Sequence, residues 1–348
     1  MIHCSECWMP DTRPGSVFVD GVCGACRNFK LRDEVNWKAR DRELDDVLDQ
    51  FREGEYDCLI PVSGGKDSHR LVYEMTERGM HPLLVTVTDS FSHTTAGVDN
   101  LRNLITVSGC NHWQYTINHD LFVRATRWAF EQTGEALKFV EYAIYTVPLM
   151  LAQGLDIGLV VYGENSAFEY GSTSKDGFVA NPAINSMVKQ MESDYQFWEK
   201  GGVTREDVDS IKPKACDYPL VIFMSYFMPW SSVENYEIAK TLGFRDLEGE
   251  WDRKGTIEQF EQIDSYAYMV HLWLKYPKFG FQRVSDIASR RVREGRMNLD
   301  LAKMLIEEKD PELDPEALED FCNTCGYEVE EFWQIVEDAP WNKYVGGE

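Results

Sequence analysis

Tyr56-Asp57-Cys58-Leu59-Ile60-Pro61-Val62-Ser63-Gly64-Gly65-Lys66-Asp67-Ser68 is the stretch that decides the fold of this chain. Its first half is a short apolar run, the pattern of a strand buried on both faces. Its second half cannot continue that strand. Two glycines permit a bend, and Leu71, Val72 and Met75 then recur at helical spacing until Gly79. In a strand, glycine turn and helix of this kind, successive backbone N–H groups converge on one anion and the helix N-terminus adds a favourable dipole. Ser63, Gly64, Gly65, Lys66, Asp67 and Ser68 are therefore the candidate phosphate-binding set, with Lys66 as a donor and Asp67 as a magnesium ligand. The glycine spacing differs from that of the G-x4-G-K-[ST] loop. A plain strand-to-helix turn is the competing reading, and the agreement of loop, strand and helix stands against it.

The alternation extends outward in both directions. Upstream, Leu44, Val47, Leu48 and Phe51 mark an amphipathic helix that Gly54 ends. Downstream, Pro82–Thr88, His112–Ile117 and Ile157–Tyr162 read as strands. Between them lie helices carrying Val98, Leu101, Leu104 and Ile105, then Leu121, Phe122, Ala125, Trp128 and Ala129, then the segment Ala143–Leu151. This rhythm predicts an α/β fold with a doubly wound parallel sheet, whose ligands sit at the carboxyl ends of the strands. Beyond Asn181 the rhythm changes: Leu220–Phe227 offers a fifth strand, and the remainder is mostly helical, with Asn298 and Asp314-Pro315 as helix starts.

Composition narrows the function classes. The chain has 348 residues, 43% hydrophobic and 27% charged, which is globular and excludes wholesale disorder. Asp and Glu number 59 against 35 Lys and Arg, a formal charge of −24, so a general nucleic-acid binder is unexpected. The longest apolar stretches, Tyr142–Ala152 and Tyr218–Trp230, are too short for a membrane helix and read as core. Met1-Ile2-His3-Cys4 opens without the basic and apolar regions of a secretory signal, and nine cysteines is an odd number, so a reducing cytoplasm is expected.

Four of those cysteines have metal spacing. Cys4-x2-Cys7 and Cys23-x2-Cys26 are separated by fifteen residues, and two such turns facing each other complete a tetrahedron for zinc. A closed four-thiolate site leaves no open position, so the expected role is structural. A unit as small and turn-rich as residues 1–30 needs such a staple. The expected organisation is a zinc ribbon at 1–30, a connecting helix at 31–50, the phosphate-binding α/β domain at 51–180 and a helical acceptor- or partner-binding region at 181–348.

Ser63–Ser68 resembles the SGGxDS signature of the PP-loop ATP pyrophosphatases. Further motifs narrow the resemblance to the N-acetyl sugar amidotransferases of bacterial surface-glycan and lipopolysaccharide biosynthesis. They are Pro10-Asp11-Thr12-Arg13-Pro14, Gly163-Glu164-Asn165, Glu169-Tyr170-Gly171, Lys278-Phe279-Gly280-Phe281 and Glu331-Phe332-Trp333. The resemblance covers nearly the whole chain. It implies ATP and magnesium as cosubstrates and a structural zinc ion. It further implies a nucleotide-linked acetamido sugar converted into an acetamidino sugar, and ammonia from a separate glutaminase subunit. In such chemistry the amide oxygen is adenylated, pyrophosphate leaves, and a nitrogen nucleophile then displaces AMP. The ribbon-bearing tRNA 2-thiolation enzymes look similar at both motifs and are the competing reading. They carry a mid-chain cysteine cluster and a second ribbon, where this chain has Cys110, Cys216 and a lone Cys322-x2-Cys325.

Weaker candidates complete the set. Gly163, Glu164 and Asn165 follow the fourth strand, where nucleotide and magnesium ligands belong, and Glu164 could also polarise a nucleophile. Asp89 ends the second strand and reads equally as a nucleotide contact or a turn residue, and Thr94, Thr95 and Asn100 follow it towards an acceptor pocket. Seven cations fall within residues 275–296; among them Lys278 and Arg283 are the candidate substrate ligands, against the reading of a solvated, charge-balanced helix.

Overall fold

The computed structural model describes residues 1–52, 54–164, 169–171, 179–214 and 218–346. At the N-terminus, β1 (Phe18–Val19) and β2 (Val22–Cys23) form an antiparallel hairpin. Its turn residues Asp20 and Gly21 have φ of 51° and 78°, the left-handed pair that a two-residue hairpin needs. Two helices follow, α1 (Gly24–Leu31) and α2 (Trp37–Leu48). The α2 helix is the amphipathic segment read from the sequence: Asn36 caps it, Leu44 and Leu48 are fully buried, and a 3-10 turn at Asp49–Phe51 closes it.

The sheet comprises β3 (Cys58–Pro61), β4 (Pro82–Thr88), β5 (His112–Thr116), β6 (Leu159–Tyr162) and β7 (Leu220–Phe223), all parallel, in the order β5-β4-β3-β6-β7. The connecting helices are α3 (Lys66–Glu77), α4 (Thr95–Ser108), α5 (His119–Thr133) and α6 (Lys138–Gly154). Alternation along the strands sorts the two faces. Cys58, Ile60, Val62 and Leu84 pack with Leu71, Val72 and Leu104 of α3 and α4. Leu59, Leu83 and Val85 pack with Leu149 and Ala152 of α6. Strand order reverses between β3 and β6, and the crevice at the carboxyl ends of that pair is where an open α/β sheet takes its ligand.

Two features depart from the expected outline. The apolar run Leu220–Phe227 is a strand only to Phe223; Met224–Phe227 turns helical, and Ser225 N–H bonds the carbonyl of Gly163 at 2.9 Å. The sheet also draws β7 from beyond residue 180, where the sequence reading ends the α/β domain. Trp273, Phe321 and Phe332 share one core with Phe122 and Phe130 of α5 and Phe139 of α6, so the C-terminal helices complete the sheet's outer layer. The expected helix starts occur, with Asn298 accepting from Leu301 N–H and Asp314 from Glu316 and Ala317 N–H. Cys322 and Cys325 are buried in that same core.

Pro148 lies inside α6, where its ring nitrogen cannot donate to the Ile144 carbonyl. Tyr162, at the end of β6, supplies the missing donor: its hydroxyl lies 3.4 Å from Ile144 O and 3.3 Å from Tyr145 O. No helix among the described residues is long and apolar enough to cross a membrane.

Candidate active site

The Ser63–Ser68 loop leaves β3 at the strand-order reversal. Gly64 has φ of +85°, and a Cβ there would sit 2.8 Å from the Leu101 backbone, so a side chain is excluded twice over. Gly65 caps α3 in an extended conformation with no side-chain cap, leaving first-turn N–H groups for an anion. The loop braces itself: Gly65 N–H donates to Ser63 Oγ at 3.2 Å, and Ser63 N–H to Ser68 Oγ at 3.1 Å.

Lys66 is buried, with Nζ 2.7 Å from Asp67 Oδ2 and 3.4 Å from Glu261 Oε1. Asn235 donates to the other Asp67 oxygen at 2.7 Å. Burial pushes the Asp67 carboxyl up, but Lys66 and Asn235 outweigh it and hold the group below its ordinary range. Asp67 is therefore a carboxylate at neutral pH, open to the cleft and suited to a divalent cation.

Glu261 gathers the cations. It accepts from Ser232, pairs with Arg283, and lies 3.4 Å from Arg290 as well as from Lys66. Lys66, Arg283 and Arg290 thus converge on one buried carboxylate beside the loop, and Lys66 also pairs with Asp67. Glu164 follows β6 and lies 4.0 Å from Arg290. Burial raises its pKa, and Glu169 and Asp67 add to this against the pull of Arg290. Asp67, Glu164, Glu169, Trp230, Ser232 and Arg290 line a cavity of about one water's size.

The loop opens into a cleft of about 600 Å³ along the carboxyl edge of the sheet. Phe260–Ser265 also line it, with Glu261 3.4 Å from Lys66 of the loop. Asp264 stands there with its pKa raised to about 7, by burial and by the neighbouring Asp89. Asp89 accepts from Phe91 N–H and from Ser265 Oγ, each at 3.0 Å, and its pKa is also raised by burial.

Of the residues singled out from sequence, Ser63, Gly65, Lys66, Asp67, Ser68 and Asp89 line this cleft. Gly64 underlies it. Gly163 packs on the Trp230 ring, where a Cβ would come within 2.7 Å. Asn165, like Cys216, lies outside the described residues. Arg283 reaches the loop through Glu261, whereas Lys278 pairs with Glu135 at 3.1 Å and does not line the cleft. The other cations of 275–296 are also engaged by protein groups: Lys275 with Asp286, Arg291 with the Ile257 carbonyl, Arg293 with Cys7 Sγ and, at the surface, Arg296 with Glu234. Thr94 and Asn100 serve the framework, capping α4 and clasping the Arg245 backbone. Glu261, Asp264, Asn235, Tyr145, Tyr162 and Tyr268 are site residues that sequence reasoning passes over, since none sits in a spaced motif.

The four cysteines come together. Cys4 and Cys26 sulfurs are 3.8 Å apart, Cys7 and Cys23 3.6 Å, and all four lie within 4.8 Å of one another. A tetrahedron with zinc–sulfur bonds of about 2.3 Å has edges of about 3.8 Å, so the cluster could hold zinc. The motifs around it serve docking. Arg13 pairs with Asp286 at 2.7 Å and covers the Tyr170 ring at 3.9 Å, and Thr12 donates to the Phe279 carbonyl at 2.5 Å. Gly24 meets Gly171 backbone to backbone, where a Cβ would fall 2.3 Å from the Gly171 oxygen.

Residues 254–345 match the family model described as LPS biosynthesis protein WbpG-like, C-terminal domain. No curated protein matches the chain. Among solved structures, the chain is similar to NMN synthetase from Francisella tularensis, at 14% identity over 84% of this chain and 94% of that one, with a TM-score of 0.30. It is also similar to NH3-dependent NAD synthetase from Campylobacter jejuni, at 15% identity over 48% and 78%, TM-score 0.30. A predicted subunit of tRNA methyltransferase from Methanocaldococcus jannaschii matches at 14% identity over 53% and 75%, TM-score 0.30.

Proposed function

We propose that this protein is an ATP-dependent amidotransferase of lipopolysaccharide biosynthesis. It adenylates the acetamido oxygen of a nucleotide-linked sugar and replaces that oxygen with ammonia-derived nitrogen. One observation carries the reading: a single cleft is lined both by the phosphate-binding loop and by Phe260–Ser265, from the WbpG-like segment.

In this reading the first-turn N–H groups of α3, the hydroxyls of Ser63 and Ser68, and Lys66 hold the departing pyrophosphate, with Arg283 and Arg290 adding charge through Glu261. The amide oxygen attacks the α-phosphorus as the bond to pyrophosphate breaks. Ammonia then adds to the imidate carbon, and AMP departs with the former amide oxygen. Glu164, with its raised pKa, accepts a proton from the incoming nitrogen. Magnesium, held by Asp67, would neutralise charge on the leaving pyrophosphate. Zinc in the ribbon is structural, since four thiolates leave it no open position. A separate glutaminase subunit supplies the ammonia, and the reaction is cytoplasmic, where ATP and nucleotide sugars are at hand.

The test follows the oxygen. With an acetamido sugar carrying heavy oxygen in its acetyl carbonyl, mass spectrometry should find the label in AMP. Label retained in the sugar, or AMP formed without it, would refute amide adenylation.

A further inference from the structure

The residues lining the cleft fall into two groups, or arms, on the α4 and α6 sides of the sheet. The first lies beside α4, lined by Leu101, Arg102, Ile105, Thr86, His112 and Gln114. The second lies beside α6, lined by Ile144, Tyr145, Pro148, Tyr162 and Tyr268. The Ser63–Ser68 loop stands at the strand edge from which both open.

Charge and packing distinguish them. Helix α3, whose N-terminus offers the anion site, packs with α4 on one face of β3 and β4, so the rest of a nucleotide held there continues into the first arm. Lys66 in the loop and Arg102 in the first arm are the only lysine or arginine side chains among the described residues lining the cleft. Among the described residues the second arm has neither to grip a diphosphate. It offers aromatic faces instead, with the Tyr145 and Tyr162 rings 5.3 Å apart. The Tyr162 hydroxyl is spent on α6, but those of Tyr145 and Tyr268 have no hydrogen-bond partner among the described residues. Two phenols without a partner among the described residues and an apolar wall suit a ring with C–H faces and neutral polar substituents.

We infer that the arm formed by Tyr145, Tyr162 and Tyr268 is the acceptor subsite and takes an uncharged ring carrying the acetamido group, with its amide oxygen directed at the loop. The inference rests on the adenylation reading above. It adds that recognition is of the sugar ring, while the diphosphate of a nucleotide-linked acceptor stays outside this arm.

The experiment uses the full chain and the variants Tyr145→Phe, Tyr268→Phe and the double variant. Because neither hydroxyl has a hydrogen-bond partner among the described residues, these should fold with an unchanged Tm. Binding of a UDP-linked acetamido sugar is measured by calorimetry in the presence of a non-hydrolysable ATP analogue, and turnover by pyrophosphate release. Each single variant should weaken acceptor binding by roughly tenfold, one lost hydrogen bond, with affinity for the ATP analogue unchanged. Loss of ATP-analogue affinity in place of acceptor affinity would overturn the assignment. So would unchanged acceptor affinity, or no acceptor binding to the parent chain. Tyrosine-dependent acceptor binding without turnover would leave the subsite standing and sink the amidotransferase reading.

Discussion

Replacing Asp286 by Asn tests how the ribbon is joined to the rest of the molecule. The Asp286 side chain is 2% exposed and lies 2.7 Å from Arg13 and 2.6 Å from Lys275. Asn keeps the shape but removes the charge, leaving the Arg13 guanidinium, itself 13% exposed, without its anion. Breaking a buried pair in this way typically costs about 3–5 kcal/mol. Lys275 is 27% exposed and can turn to water, and Arg13 keeps the Tyr170 ring, so the lower end, about 3 kcal/mol, is expected. The assay is urea unfolding of the parent, Asp286→Asn, Arg13→Met and the double variant. The double variant should be more stable than the sum of the single losses predicts, by about 1.5 kcal/mol or more. Burial pushes the Asp286 carboxyl up, but Lys275, Arg13 and Arg283 overcome it and hold it far below its usual range. A depressed pKa stabilises above the unfolded value, so the gap between parent and Asp286→Asn should be constant from neutral pH down to about 5 and close only in stronger acid. A loss below about 1 kcal/mol, or additive single losses, would refute the reasoning.

Asp67→Asn should keep ATP-analogue binding within a few fold and lower pyrophosphate release by about 10²-fold or more, read by a coupled pyrophosphate assay. The purified chain should carry one zinc ion by elemental analysis. Cys7→Ser should lose it and leave residues 1–30 sensitive to protease, the remainder of the fold persisting by circular dichroism. Asp264, raised to about 7, places its burden on the folded state as pH rises from the unfolded pKa of about 3.9. Asp264→Asn should therefore gain Tm over the parent between pH 5 and pH 8, and an advantage that shrinks with pH would contradict this.

The sheet and its loop were legible because their signals are local. Continuous apolar runs at Leu83-Leu84-Val85 and Leu59-Ile60, followed by turn glycines, specify buried parallel strands whatever lies elsewhere in the chain. The four cysteines were legible for the same reason, through spacing alone. The Phe260–Ser265 lining of the cleft was not. Glu261 and Asp264 acquire their roles from Lys66 and Asp89, which lie about 170 residues or more earlier in the sequence, and no periodicity links them. Lys278 shows the converse: a cation within a motif drew attention, yet Lys-Phe-Gly-Phe works by docking. Thr12 bonds the Phe279 carbonyl, Phe281 packs in the ribbon's core, and Lys278 itself pairs with Glu135.

The central claim, that this cleft couples ATP cleavage to an acetamido sugar, is tested most directly by pyrophosphate release. Magnesium-ATP and ammonium are supplied with UDP-linked acetamido sugars in one arm and with tRNA and sulfide in the other, with product mass followed in both. The account predicts sugar-dependent release of AMP and pyrophosphate, with an acceptor in which NH replaces the amide oxygen. Release that depends on tRNA and is indifferent to the sugar would contradict it.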